Sequence, residues 1–130
     1  EAFSYATKSL DIYMKHLKKK ENLDIAYTYQ TLAQCYASLK EYEKAEVFGK
    51  RALDLRIKIQ GPVSHFVAKS YKVLGTIYSS MQRIDDAALN YHKGIDILTQ
   101  IYGPLHPDLT AVQSLLENLN INSVHEMSEK

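Results

Sequence analysis

The sequence repeats itself at an interval of 42 residues. The segments Tyr29–Tyr36 and Tyr71–Tyr78 carry tyrosine, leucine, a small residue and tyrosine in the same order and at the same spacing. The same interval relates further pairs: Ala26 and Ala68, Ala45 and Ala87, Leu53 and Ile95, Leu55 and Ile97, Ile59 and Ile101, Gly61-Pro62 and Gly103-Pro104. Self-similarity of this length indicates an array of similar units, each packing on the next.

Each unit has the pattern of two helices. Apolar residues recur at steps of three and four, first in the tyrosine segment and again after a short polar break at Lys40-Glu41. The second stripe contains Ala45, Phe48, Ala52, Leu55 and Ile59. Gly61-Pro62 is expected to end this helix, because glycine accepts the left-handed cap and proline cannot continue a helix. Ser64 is expected to cap the helix that follows.

This register divides the chain into five segments. Residues 24–65 and 66–107 are expected to be complete repeats, and residues 1–23 the second helix of a truncated repeat with a linker near Glu21-Asn22. Residues 108–120 are expected to form a capping helix, because Glu117 replaces a small packing residue, and residues 121–130 a polar, frayed tail. The predicted fold is all-α: an antiparallel helix-pair solenoid of about six helices.

The motif residues resemble the tetratricopeptide signature, in which Trp-x2-Leu-Gly-x2-Tyr is followed by Ala-x3-Phe, with tyrosine here in the tryptophan position. The 42-residue unit and the Gly103–Pro107 linker are similar to the longer repeats of kinesin light chains. The resemblance implies a module that binds a peptide or a partner protein in the concave groove of the array. It does not imply kinesin cargo specificity, because the groove asparagine of kinesin light chains is absent. It does not imply the chaperone-tail clamp either, because the asparagine and arginine of that motif are absent.

In such an array the first helices line the groove. The inward positions implied by the family pattern, here called the groove row, are Tyr27, Gln30, Gln34, Ala37, Ser38, Lys69, Lys72, Thr76, Ser79, Ser80, Ala111, Ser114 and Asn118. Lys69 and Lys72 share one side of a helix, and the sequence shows no carboxylate to match them. We therefore expect a ligand with an acidic residue, although a solvated face without a ligand is the plain alternative.

Two further hypotheses stay open. The chain could be a structural spacer or a self-associating arm, since the open N-terminal end, with Tyr5, Ile12 and Leu17, would expose an apolar patch. It could also be the arm of an enzyme whose catalytic domain lies elsewhere. The basic cluster at Lys15, Lys18, Lys19 and Lys20 is expected to end a helix, where cations complement the helix dipole.

Several function classes find no support in the residues. Sixteen basic and fifteen acidic side chains give a net charge of +1, which argues against a nucleic-acid or membrane-surface partner. The five histidines lack metal-ligand spacing, and no catalytic motif occurs. We expect no catalytic residue, metal or cofactor. The single cysteine, Cys35, favours a reducing cytoplasmic setting and is expected to be buried as a small apolar side chain.

Overall fold

A computed structural model describes the backbone of residues 2–129 and the side chains of residues 9–119. Its five helices are α1 (Ala2–Ser38), α2 (Tyr42–Gln60), α3 (His65–Ser80), α4 (Ile84–Tyr102) and α5 (Pro107–Glu129). Each helix packs against the next one along the chain, and the backbone of residues 2–129 contains no strand. The predicted all-α helix-pair solenoid is confirmed.

The turns repeat as regularly as the helices. Lys40 and Gln82, which are 42 residues apart, both have a φ of 62° in the turn between the first and second helix of a repeat. Gly61 and Gly103 follow α2 and α4 with φ values of 85° and 80°, a region in which glycine is free of strain. Ser64 caps α3 as predicted, because its hydroxyl accepts the Phe66 N–H at 3.2 Å. Short, specific turns thus set the antiparallel pairing of the helices.

The main core lies between α3, α4 and α5. It contains Leu74, Tyr91 and Leu98, and α5 contributes Leu109 and Val112, which are 1% and 2% exposed. A second, smaller cluster joins the first repeat to α3 and consists of Ala33, Ala45, Val73 and Ile77. The apolar stripes read from the sequence are therefore the faces that hold consecutive helices together.

The two complete helix pairs differ in the size of the residues at equivalent contact positions. In the second pair, a Cβ on Gly75 would come within 2.5 Å of the Tyr91 ring, so glycine makes room for a large aromatic residue. In the first pair the equivalent positions hold Ala33 and Gly49. A Cβ on Gly49 would instead meet the Leu74 side chain at 2.8 Å. Gly49 thus lacks the large side chain of its equivalent Tyr91, and Leu74 of the next repeat packs against it instead.

The N-terminal region differs from the expectation of a helix, a linker and another helix. α1 is one continuous helix of 37 residues, about 55 Å long at 1.5 Å per residue. The expected linker near Glu21-Asn22 is helical because lysine and glutamate favour helix and no glycine or proline interrupts the segment. The lysine cluster at Lys18–Lys20 consequently lies in the middle of a helix, and the prediction that it ends one was wrong.

The C-terminal region also differs in part. α5 continues to Glu129, so the frayed tail expected from residue 121 is helical along its backbone. Its first half behaves as a cap: Leu109, Val112 and Leu119 are buried against α3 and α4, whereas Glu117 is exposed. The exact boundaries of the repeats stay a prediction.

Candidate functional site

The groove row lies on the second half of α1, on α3 and on α5. Most of its side chains are exposed, and Tyr27 is the most prominent at 66%. The exposed members are Tyr27, Gln34, Ser38, Lys69, Thr76, Ser80, Ala111, Ser114 and Asn118, and the half-buried members are Ala37, Lys72 and Ser79. Gln30 is buried, at 5% exposure. Every member of the row except Gln30 is therefore at least partly exposed to solvent.

A cavity of about 100 Å³ opens between α3 and α5 and is lined by both lysines of the groove row. Its apolar floor consists of Ala68, Leu98 and Val112, and Ala111 adds to the wall. A volume of about 100 Å³ corresponds to roughly three water molecules, and drug-sized ligands need roughly 300 Å³ or more. The cavity therefore has the size of one amino-acid side chain and not of a cofactor.

The rim of this cavity carries a carboxylate that sequence reasoning did not place there. Asp108, in the first turn of α5, lines the cavity together with His65. Its Oδ2 lies 3.7 Å from His65 Nδ1 and 3.9 Å from His106 Nδ1. The expectation that the lysines have no carboxylate nearby was wrong. Residue spacing could not have found Asp108, because its place beside the cavity depends on how α5 packs on the preceding helices.

Two histidines and a tyrosine hold Asp108 in place at the junction between repeats. The Tyr102 hydroxyl lies 2.9 Å from His65 Nδ1, and its ring stacks on His106 with centroids 3.9 Å apart. His106 Nδ1 also accepts the Asp108 backbone N–H at 3.2 Å, which caps the start of α5. Through these contacts His65 and His106 connect the start of α3 with the end of α4 and the start of α5.

Gln30 belongs to a buried polar cluster around Arg56 of α2. The Arg56 guanidinium, 4% exposed, donates to the Gln30 side-chain oxygen, to Ser70 Oγ at 2.8 Å and to the Phe66 carbonyl at 3.1 Å. All three acceptors are neutral, so the charge of Arg56 is solvated by hydrogen bonds rather than by an ion pair. Burial lowers the pKa of Arg56 from its ordinary value. Gln30 thus has a structural role, because its side chain accepts a hydrogen bond from Arg56.

The Arg56 cluster and the cavity occupy equivalent places in successive repeats. One interval of 42 residues relates Arg56 to Leu98, Gln30 to Lys72 and Ser70 to Val112. At the first junction the long arginine side chain fills the space between first helices. At the second junction the shorter Leu98 leaves that space open, and Lys72 stands where Gln30 would close it. The cavity therefore lies at the position that the Arg56 side chain fills at the preceding junction.

Hydroxyl groups of the groove row are partly engaged within the protein. Thr76 Oγ1 donates to the Lys72 carbonyl at 3.1 Å and lies 2.9 Å from the buried Tyr91 hydroxyl. Burial raises the pKa of Tyr91, and the hydrogen bond with Thr76 opposes that shift. Ser38 donates to the Gln34 carbonyl at 3.1 Å. The hydroxyls of Thr76 and Ser38 are therefore already hydrogen-bonded within the protein.

A second polar cluster connects the two complete repeats away from the cavity. Glu46 Oε1 accepts from the Tyr78 hydroxyl at 3.1 Å and lies 2.9 Å from Lys50 Nζ, and Arg83 Nη1 lies 3.3 Å from Oε2. Partial burial alone would raise the pKa of Glu46, but these hydrogen bonds and positive charges outweigh it and the pKa is lowered. This cluster reads as a structural clamp between α2, α3 and the start of α4.

The remaining observations concern Cys35, metal-binding groups and membrane-spanning helices. Cys35 is exposed, so the prediction that it is buried was wrong. Among the residues that the structure describes, no group of three histidine, cysteine or carboxylate side chains could hold a metal ion. None of the helices in that part of the chain has the length and apolar character needed to cross a membrane.

Comparison with known families agrees with this architecture. A family profile described as tetratricopeptide repeat matches residues 1–58 and, in a second placement, residues 24–100. The two placements together cover most of the chain, so the protein belongs to the tetratricopeptide repeat family. Repeats of this family generally mediate protein–protein interactions. A search of curated proteins found no match.

Proposed function

We propose that this chain is a scaffold module that holds a partner through a peptide segment carrying an acidic side chain, and that the segment lies along the groove row. The observation that carries the proposal is the cavity between α3 and α5. It has the volume of one side chain, an apolar floor and two lysines at its edge.

The chemistry of the cavity favours glutamate over aspartate or an apolar residue. The methylene groups of glutamate would contact Ala68, Leu98 and Val112, and its carboxylate would reach Lys69 and Lys72 at the rim. Asp108, which also lines the cavity, would repel a second carboxylate, so one acidic residue with apolar neighbours is preferred over an acidic run. Charge-assisted hydrogen bonds of this kind are stronger than neutral ones.

The contribution of the lysines is modest because both are partly solvated. Exposed ion pairs contribute roughly 0.5–1 kcal/mol each, so the pair contributes roughly 1–2 kcal/mol. That energy corresponds to an affinity change of about five- to thirty-fold. Binding is also expected to weaken as salt increases, because exposed charges are screened. The remaining affinity would come from Tyr27 and the other exposed members of the groove row.

The test uses two fluorescent peptides that differ only in a central glutamate or glutamine between leucines. Fluorescence anisotropy should show tighter binding of the glutamate peptide. The double variant Lys69→Glu/Lys72→Glu should remove that preference while the circular dichroism melt stays unchanged. A control variant, Lys44→Glu/Lys58→Glu, carries the same charge change on α2 and should keep the preference. Equal binding of both peptides, or equal loss in both variants, would refute the proposal.

The proposal extends to the type of repeat array and to its cellular setting. The 42-residue unit with its Gly-Pro linkers supports an array of the long-repeat type found in kinesin light chains, and the single cysteine supports a reducing, cytoplasmic setting. The alternative role as a self-association arm is favoured by a separate observation on α1, described next. It does not involve the cavity.

A further inference from the structure

The first half of α1 presents an apolar stripe that no described side chain covers. The stripe consists of Leu10, Tyr13, Met14 and Leu17, which are 58%, 58%, 57% and 39% exposed. Steps of three, one and three place all four on one side of the helix. We call this set the N-terminal stripe. Such a contiguous apolar face on an exposed helix marks a contact surface.

The internal repeat shows what the N-terminal stripe is built to contact. An offset of 43 residues relates the start of α1 to α2, so that Leu10, Tyr13 and Met14 correspond to Leu53, Arg56 and Ile57. Leu53 and Ile57 pack on the main core, and Arg56 donates to Ser70 of α3. The N-terminal stripe therefore corresponds to the face that a second helix turns toward the first helix of the next repeat.

The matching acceptor surface is on the same helix, further along. In α3 the residues that face the preceding repeat are Ser70, Val73 and Ile77. One interval of 42 residues earlier, the equivalent residues of α1 are Thr28, Thr31 and Cys35, and all three are exposed. We call these three residues the acceptor face. Cys35 is exposed together with the other two residues of this face.

The acceptor face is less polar than its residue types suggest. Thr28 Oγ1 donates to the Asp24 carbonyl at 2.9 Å, and Thr31 Oγ1 donates to the Tyr27 carbonyl at 3.0 Å. Both hydroxyls are satisfied within the helix, so a helix packed on this face needs to supply no hydrogen bond. Because the hydroxyls are engaged, burying these side chains beneath the N-terminal stripe leaves no unpaired polar atom.

A helix cannot fold its first half onto its own second half while it stays continuous. We propose that two copies of this chain associate through antiparallel α1 helices, the N-terminal stripe of each copy packing on the acceptor face of the other. The contact between Arg56 and Ser70 sets the register, because its equivalent is Tyr13 of one copy against Thr28 of the other. The midpoint of residues 13 and 28 falls between Lys20 and Glu21.

The charges around that midpoint are complementary. In an antiparallel pair with this register, Lys20 of one copy lies opposite Glu21 of the other, and two-fold symmetry repeats the pair. Asp24 of each copy lies opposite Leu17, beside Lys18. In a parallel pair Lys18, Lys19 and Lys20 would instead face their own copies, and like charges would repel. The distribution of charge thus favours a second copy in the antiparallel orientation.

The oligomeric state of the 130-residue chain tests the proposal directly. Sedimentation from low to high micromolar concentration should show a monomer–dimer equilibrium. Tyr13→Glu and Leu17→Glu should each raise the dimer Kd about tenfold or more, because Tyr13→Glu replaces an apolar contact by a carboxylate and Leu17→Glu places a carboxylate opposite Asp24 of the other copy. Ile12→Glu is the matched control: Ile12, which the sequence grouped with Leu17 in one apolar patch, is 69% exposed but lies about half a turn away from the N-terminal stripe, and the dimer should persist.

A charge exchange tests the register. Lys20→Glu should weaken the dimer, and adding Glu21→Lys should restore it, because the two residues of opposite copies exchange signs together. In a Cys35→Ser background, Glu21→Cys should form an intermolecular disulfide and Lys19→Cys, on the opposite side of α1, should not. All of these positions are exposed, so circular dichroism should stay unchanged.

Three results would overturn the proposal. The first is a chain that stays monomeric at the highest concentration. The second is a compact monomer in which residues 2–20 fold back onto the acceptor face of the same chain, recognised by a smaller hydrodynamic radius than an extended α1 allows. The third is a dimer that Ile12→Glu disrupts and Tyr13→Glu does not. None of these outcomes bears on peptide binding at the cavity.

Discussion

Replacing Gly75 by alanine probes a tight packing contact between α3 and α4. An added Cβ would lie 2.5 Å and 2.6 Å from two carbons of the Tyr91 ring, well inside van der Waals contact. The ring cannot move aside, because Tyr91 is 2% exposed and its hydroxyl is bonded to Thr76. Overpacking of this kind costs about 1–3 kcal/mol. Alanine also favours helix over glycine by about 1 kcal/mol, which offsets part of the loss.

The net expectation is that Gly75→Ala lowers the free energy of unfolding by about 1–2 kcal/mol. Urea denaturation followed by circular dichroism measures the change. Gly94→Ala is the matched control, because its Cβ would meet only the Ala68 carbonyl at 3.3 Å and the Tyr71 Cβ at 3.8 Å. There the helix preference of alanine should roughly balance a mild contact, and stability should change by less than about 0.5 kcal/mol.

A second substitution identifies the cause of the loss. Tyr91→Leu shortens the side chain that the new Cβ meets, so Gly75→Ala should cost less in the Tyr91→Leu background than in the natural protein. The difference between the two costs is the coupling energy of a double-mutant cycle. A Gly75→Ala variant as stable as the natural protein, or one with the same cost in both backgrounds, would refute the packing argument.

Other expected outcomes concern the buried polar clusters and the helix contacts. Arg56→Leu should destabilise the fold by about 1–3 kcal/mol because Gln30 loses its donor, and Gln30→Leu in the same chain should recover much of the loss, as urea melts will show. Glu46→Gln should reduce the dependence of stability on pH in acid. Because the pKa of Glu46 is lowered in the folded state, its contribution to stability is complete above the ordinary pKa of 4.5. That contribution is lost as the pH falls through the lower pKa of the folded state. The natural protein should therefore lose more stability on acidification than the variant. Ala45→Leu and Ala87→Leu, both at positions with 0% exposure, should each cost about 1–3 kcal/mol in the same denaturation assay, and unchanged midpoints for both would contradict the repeat register.

Local residue pattern alone accounts for the helices of the complete repeats, because their signals are short-range. Periodic apolar stripes, Gly61 and Gly103 after the second helices, and the Ser64 cap each act within a few residues, and the structure follows them closely. The same signals fail near Glu21, where the expected linker has neither glycine nor proline. Lysine and glutamate then extend the helix, and only the absence of a helix-breaking residue could have indicated that.

The candidate site was predictable only in outline. The family pattern placed Lys69 and Lys72 on one face, and both line the cavity. Spacing could not reveal that Gln30 turns inward, because its environment depends on Arg56, 26 residues away in the sequence. Nor could it reveal Asp108 at the rim, since that position depends on how α5 packs beside α3.

What the sequence by itself determined is the unit and its succession: a 42-residue pair of helices, the turns between them, and the small residues that let them pack. What only the tertiary structure decided is which equivalent positions are filled. Arg56 fills the space at one junction, whereas the equivalent Leu98 leaves a cavity at the next. The physical reason is that helix formation depends on neighbours three and four residues apart, whereas a cavity depends on the summed volumes of side chains from different helices.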